Sequence, residues 1–239
     1  MHEKKVKEIF SSISEKYDMA NTLLSFGIEK YWRKRFNSHI KGIERRILDA
    51  CCGTGMSTFS VLNKIPEKDL QQTEIFGIDF SKEMLEIAKK RLLKLGGSKH
   101  IPKISFSEAD AANTSFDNNY FDLITVAFGL RNIIDRDKAI EEFYRIAAPG
   151  GRLLIMEFNM PQRGIFSKLY RFYLNRILIN IGKIITGKRN AYRHLAESIR
   201  EFPNHEIIVD KLKIAGWKSI TTQSMTMGTC IIYCAEKFQ

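Results

Sequence analysis

Five short apolar runs, at 47–50, 75–78, 104–106, 121–126 and 153–158, alternate with stretches of helical periodicity, and the first three lead into an acid: Asp49, Asp79 and Asp110. That alternation specifies an α/β fold with a largely parallel sheet, whose ligands bind beyond the carboxyl ends of the strands. The first run continues as ILDACCGTG over 47–55. A strand that delivers an acid and then a glycine turn lets backbone approach a nucleotide-like ligand, with Gly53 and Gly55 free to take a positive φ.

The helices are legible from their punctuation. The spacing of Met84, Leu85, Ala88, Leu92 and Leu95 predicts a helix over 81–95, capped by Ser81 and stopped at Gly96-Gly97. A helix over 137–147 follows, then a tight turn at Pro149-Gly150-Gly151 into the fifth strand. Pro203 opens a helix through Ala215, and strands at 217–225 and 229–237 form a closing antiparallel hairpin around Met227-Gly228. Ahead of the sheet, Val6, Ile9, Phe10 and Ile13 share one face of an amphipathic helix over 3–16. A turn at 18–21 and helical segments through Phe36 complete an N-terminal cap. The aromatic and basic stretch 166–185 reads as a helical insertion outside the sheet. The expected organisation is one domain: cap 1–42, cofactor-binding core 43–160, helical lid 161–202, and C-terminal helix with hairpin 203–239.

Electrostatics separates two nucleotide-like cofactors. A dinucleotide fingerprint places a third glycine where this chain has Thr58. Three acids at successive strand ends disfavour a pyrophosphate and suit a sulfonium cation with an uncharged ribose and adenine. Asp79 is placed to accept the ribose hydroxyls, and Asp110 the adenine amino group beside small Ala111. S-adenosylmethionine is the cofactor these acids favour.

Along nearly its whole length the chain resembles the ubiquinone/menaquinone biosynthesis C-methyltransferases, within the class I S-adenosylmethionine-dependent enzymes. The resemblance is carried by YDMANTLLSFGIEKYW at 17–32, LDACCGTG, EADA, FDLITVAFGLRN at 121–132, RIAAPGGRLLIMEF at 145–158 and YRHLAESIREFP at 192–203. The chain departs from the pattern at Ala20, Glu29, Cys52, Ala127, Ala148 and Asn159. The resemblance implies a Rossmann-like class I methyltransferase fold with a mostly parallel seven-stranded sheet. It also implies cofactor contacts at Thr54, Asp79, Asp110 and Ala111, to which the strand-end reading adds Asp49 and Gly53. For methylation of a polyprenyl quinol ring, Arg131 is expected to stabilise phenolate charge and Asn132 to orient the hydroxyl. Tyr17 and Asp18 from the cap close over a ring bound by Phe128, Tyr192 and Glu197.

Composition limits the alternatives. The net charge is +11, and between Phe158 and Ala196 there is no acid beside eight basic residues, a distribution that attracts anionic partners, either nucleic acid or an anionic membrane face. Neither the run of Asn/Asp-Pro-Pro-Tyr used for amino methylation of nucleic acid nor a nucleophilic cysteine follows the fourth strand, so no nucleic-acid partner is expected. Cys51, Cys52, Cys230 and Cys234 have no metal-site spacing and read as buried reduced thiols, with no metal expected. The charged start MHEKKVKEIF is unlike a secretory signal, and no apolar stretch approaches a span, which points to a cytoplasmic protein, peripheral at the inner membrane face and compatible with a homodimer. A non-catalytic partner in a quinone-biosynthesis complex is the alternative from another class.

Overall fold

The computed structural model describes residues 8, 9, 11, 13, 14, 17–95, 101–162 and 164–238. Its strands are β1 (Arg46–Ala50), β2 (Glu74–Asp79), β3 (Lys103–Glu108), β4 (Phe121–Ala127), β5 (Ala147–Phe158), β6 (Lys218–Met225) and β7 (Cys230–Glu236). They form one sheet in the order β3-β2-β1-β4-β5-β7-β6. The first five run parallel, while β7 pairs antiparallel with both β5 and β6. The strand order reverses between β1 and β4, and at such a switch point adjacent crossovers leave a crevice for a ligand.

Helices cover both faces. Helices α1 (Tyr17–Leu24) and α2 (Ile28–Asn37) precede β1, α3 (Met56–Leu62) follows it, and α4 (Lys82–Leu95) follows β2. Helix α5 (Arg136–Ile146) lies between β4 and β5. The lid comprises α6 (Gly164–Phe172), a π-helical stretch Tyr173–Leu178, α7 (Ile179–Thr186) and α8 (Arg189–Glu201), and α9 (His205–Ile214) leads to β6. On one face, Ile140 and Phe143 of α5 and Ile208 and Leu212 of α9 bury against Leu48, Ile124 and Ile155. On the other, Trp32 and Phe36 of α2 and Val61 of α3 pack on Ile47, Ile75 and Leu123. A third core joins cap and lid through Ile13, Ala20, Leu24, Leu174, Leu178 and Ile199. The cap and lid, distant in sequence, are thus one apolar unit above the sheet.

Three local expectations need correction. The turn at 18–21 is instead the start of α1, because Ala20 and Leu24 gain burial against the lid that outweighs the turn preference of their polar neighbours. The Pro149-Gly150-Gly151 turn is a bulge inside β5: Phe121 pairs with Ala147 but Leu123 pairs with Arg152. The last helix begins at His205, since Asn204 caps it by accepting the Ile207 amide at 3.1 Å. Val6, Phe10 and the Gly96-Gly97 stop lie outside the described residues, whereas Ile9 and Ile13 join the lid core.

Candidate active site

At the switch point the chain leaves β1 through a strained turn. Cys51 takes φ 56°, Gly53 54° and Gly55 81°, a region that costs a side-chain-bearing residue energy and leaves glycine unstrained. Space around Gly53 is open, so conformation alone requires glycine there; a Cβ on Gly55 would also meet the Phe59 ring at 2.7 Å. The Gly53 amide donates to Asp79 Oδ2 at 2.8 Å, and the Ser81 amide donates to Oδ1 at 2.9 Å. Burial pushes the Asp79 carboxyl up to about 6; the two amide donors oppose that rise and nearby Asp49 adds to it.

Cys51, Gly53 and Asp79 line a cavity of about 320 Å³ that runs along the ends of β1 to β4. Asp110 lies on its wall and accepts the Ala112 amide at 2.8 Å, with Ala111 and Ala112 presenting only methyl groups. Asn132 also lines it, and its buried Oδ1 has no hydrogen-bond partner among the described residues. The cap closes one end: Thr54 Oγ1 donates to the Asp18 carboxylate at 2.9 and 3.0 Å, and Arg91 donates to the same group at 2.5 Å.

A second cavity, about 330 Å³ and almost wholly apolar, lies between the cap, the lid and β5. The two cavities share Phe128 and Arg33 as walls. Phe128 holds φ 61°, an unusual conformation for an aromatic residue. Its ring sits 4.5 Å from Phe158 and 6.1 Å from Trp32 between centroids, with the Arg33 guanidinium 5.7 Å over it. Arg33 donates to Glu29 at 2.9 Å and to Ser57 Oγ at 2.6 Å, while Trp32 Nε1 donates to Thr226 at the hairpin apex at 2.8 Å.

The profile of the ubiE/COQ5 methyltransferase family matches residues 1–237. The chain belongs to this family. It is 37% identical over 236 residues to the ubiquinone/menaquinone biosynthesis C-methyltransferase UbiE of Edwardsiella ictaluri, covering 98% of this chain and 91% of the relative. The UbiE of Geotalea daltonii is 36% identical over 98% of this chain and 96% of its own length. Among solved structures, the [4+2]-cyclase SpnF superposes with TM-score 0.68 at 16% identity, covering 98% of this chain and 95% of that one. A SAM-dependent methyltransferase from Aquifex aeolicus superposes with TM-score 0.62 at 19% identity, covering 95% and 97%. Those two share the fold.

As a member of this family the chain is a methyltransferase, and the polar cavity fits S-adenosylmethionine. The carboxylates of Asp18, Asp79 and Asp110 line it, a surround that favours a cation. The alanine wall leaves room for a flat ring, and Asn132 lines the same space.

Not every expected site residue reaches a cavity. Asp49 is fully buried in the sheet and accepts Thr58 Oγ1 at 2.5 Å and Thr125 Oγ1 at 2.8 Å, so it braces the turn and does not line the pocket. One residue, Ala50, separates it from the turn, and its side chain lies on the sheet face beneath α3, between Thr58 and Thr125. Tyr192 is buried in the lid core, packed so closely on Gly182 that a Cβ there would meet its ring at 2.2 Å. Glu197, half-buried on α8, lines neither cavity. Arg131 walls the apolar cavity and not the polar one: it pairs with Glu157 at 2.8 Å and donates to the Phe128 carbonyl, both partners buried. Tyr17 opens α1, and its side chain lies outside the described residues. Sequence reasoning missed Glu29, Trp32, Arg33, Ser57 and Phe158. For Glu29, Trp32 and Arg33 the signal was the departure at Glu29 and the aromatic and charged density in EKYWRKRF, which reads equally well as a packing helix; Ser57 and Phe158 gave none.

Two outcomes follow. Hydroxyl donors need Asp79 ionised, so binding lowers its pKa. Affinity for S-adenosylmethionine should therefore fall as pH drops through about 6, with protons released on binding near that pH. Calorimetry in buffers of different ionisation enthalpy measures both, and Asp79→Asn should weaken binding by about 100-fold and abolish the release, from hydrogen bonds to charge of roughly 1.5 kcal/mol or more each. Arg131→Ala strands a buried carboxylate and should cost about 3–5 kcal/mol in urea unfolding. Arg131→Leu combined with Glu157→Gln should cost clearly less.

Proposed function

We propose that this methyltransferase alkylates a ring carbon of a polyprenyl quinol, the reaction for which its UbiE relatives are named. The observation that carries the reading is the single wall, Phe128 with Arg33, between an acid-lined cofactor cavity and an aromatic cavity. S-adenosylmethionine supplies an electrophilic methyl group on a sulfonium. The chain's own residues bring the acceptor to it. Asp79 and Asp110 fix the polar half of the cofactor, and the clasp of Asp18, Thr54 and Arg91 shuts the cap over it. Phe128, Phe158 and Trp32 present flat apolar faces to a ring, with Arg131 held beside Phe128 and Phe158 by Glu157. Placing two reactants as a near-attack pair contributes about 7–11 kcal/mol in favourable cases, and water is excluded by the lid.

The tail and the membrane extend the same reading. Phe166, Leu169, Tyr170 and Tyr173 of the lid line the apolar cavity. At the lid surface Ile165, Leu169 and Phe172 are exposed, as is Phe26 of the cap. These stand among Lys168, Arg171 and Arg176, with no acid between Phe158 and Ala196. An apolar surface ringed by cations seats on an anionic bilayer and opens the cavity toward a lipid-dissolved tail. Among the described residues no helix is long and apolar enough to cross a membrane, so docking is peripheral.

The purified protein, given methyl-labelled S-adenosylmethionine and demethylated quinol extract, should yield a labelled quinol and no labelled RNA. Bound cofactor without quinol product would favour the scaffold alternative. In sedimentation, vesicles containing anionic lipid should carry the protein down and neutral ones should not, with Lys168→Glu plus Arg171→Glu weakening capture at least fivefold. Equal partition between the two vesicle types would remove the docking surface.

A further inference from the structure

The apolar cavity contains one ionisable acceptor that the reaction described above does not yet use. Glu29, on α2, is 5% exposed and lines the cavity. Its Oε1 accepts Thr22 Oγ1 at 3.0 Å and its Oε2 accepts Arg33 Nε at 2.9 Å. A carboxylate has about four acceptor positions, so both oxygens can take a further partner.

We propose that Glu29 is a catalytic residue that takes the proton of the ring hydroxyl, with Arg33 holding the charge left on the ring oxygen; this rests on the quinol reading. The other described residues around the cavity are poorer candidates. Arg131 carries no acceptor and is spent on Glu157 and the Phe128 carbonyl. Burial pushes the Tyr173 phenol up to about 12 and raises that of Tyr170 as well, so both stay protonated at neutral pH. Ser25, Thr226 and Thr229 have hydroxyls that do not ionise there.

Charge conservation makes the pair effective. Before transfer the trio is Glu29 carboxylate, Arg33 guanidinium and a neutral hydroxyl. After it the trio is a neutral acid, the same guanidinium and a phenolate. The sum is zero in both states, so the dry cavity never holds an uncompensated charge, which in low dielectric would cost many kcal/mol. The ring O–H bond breaks, its electron pair stays on oxygen, and a new O–H bond forms on Glu29; nothing is oxidised or reduced. The added electron density raises the nucleophilicity of the neighbouring ring carbon. Over the full turnover that carbon exchanges its hydrogen for methyl, the proton on Glu29 returns to the ring oxygen, and one proton leaves to solvent. Arg33 also walls the cofactor cavity and contacts Phe128, so it stands at the junction where the reacting carbon must lie.

The test uses 2-naphthol, an aromatic ring with one hydroxyl, titrated into the full chain at pH 7 while the near-ultraviolet band of its anion is followed. Wild type should bind it as naphtholate. Glu29→Gln, which keeps the shape and the acceptor for Arg33 while the Thr22 hydroxyl turns to accept from the amide, should bind it within about threefold as the neutral species, without the band. Its kcat for quinol methylation should fall about 100-fold or more, with the dissociation constant for S-adenosylmethionine within threefold of wild type and a cooperative unfolding transition retained, at a Tm lowered by loss of the Arg33 pair. Glu29→Asp should restore part of both band and turnover. Naphthol bound to wild type only in its neutral form, or Glu29→Gln retaining the band with kcat within threefold of wild type, would overturn the proposal. The first of these outcomes needs no variant to fold. A naphtholate band in wild type that Glu29→Gln abolishes, with no methyl transfer to any quinol, would support the proton acceptor and reject the quinol as substrate.

Discussion

The bond from the Gly53 amide to the Asp79 carboxylate, 2.8 Å long, ties the turn after β1 to the end of β2, and the site is assembled around it. The same carboxylate takes the Ser81 amide at the start of the β2–α4 connection. One side chain therefore fixes two loop geometries. With Gly53 held, Thr54 is placed for Asp18, and Asp18 draws Arg91 of α4 into the clasp. Asp49 supports this from behind, where Thr58 and Thr125 satisfy a carboxylate that burial alone would leave costly. Its pKa is raised by that burial and lowered again by those hydroxyls.

The site then depends on keeping two environments apart. A cationic cofactor needs carboxylates, and a prenylated ring needs an apolar pocket. The boundary is a Phe128 ring held in a positive-φ backbone, with its carbonyl taken by Arg131 and its amide bonded to the Met156 carbonyl at 2.7 Å. Such strain persists only where surrounding bonds over-determine it. The Arg131–Glu157 pair, buried on both sides, serves that purpose: Glu157 also accepts the backbone amides of Arg131 and Phe158. Arg131, expected from sequence to stabilise phenolate charge, here holds the wall upright.

Much of this was legible in the chain. The strand runs, the acids that follow them, the hairpin and the helical insertion were read in the right places, because burial in a parallel sheet leaves long apolar runs and turns leave glycine and proline. The mostly parallel seven-stranded sheet followed from the family resemblance; its strand order did not. What failed shares one cause, which is tertiary context. Asp49 and Asp79 look alike as strand-end acids, yet one residue of offset places the first on the sheet face under α3 and the second at the cavity. Tyr192 and Glu197 sit in a motif that marks the lid, but α8 turns Tyr192 into the core with Gly182. Asp18 was read as part of a turn although it lies in a helix, and its partner Arg91 is 73 residues away.

Glu29 shows the same limit from the other side. On sequence it is one charge in a basic amphipathic segment, and i,i+4 pairing with Arg33 is the ordinary helix-surface arrangement. On an exposed helix that pair would contribute little. Here α2 is roofed by the lid, so the pair is withdrawn from water and faces a cavity whose other walls are aromatic and aliphatic. The same two side chains thereby change from a helix decoration into the most polar point of the ring-binding space. The covering lid, built from α6 to α8 and the cap, makes that change, so the structure that admits an apolar substrate also creates the conditions under which a carboxylate beside an arginine can move a proton.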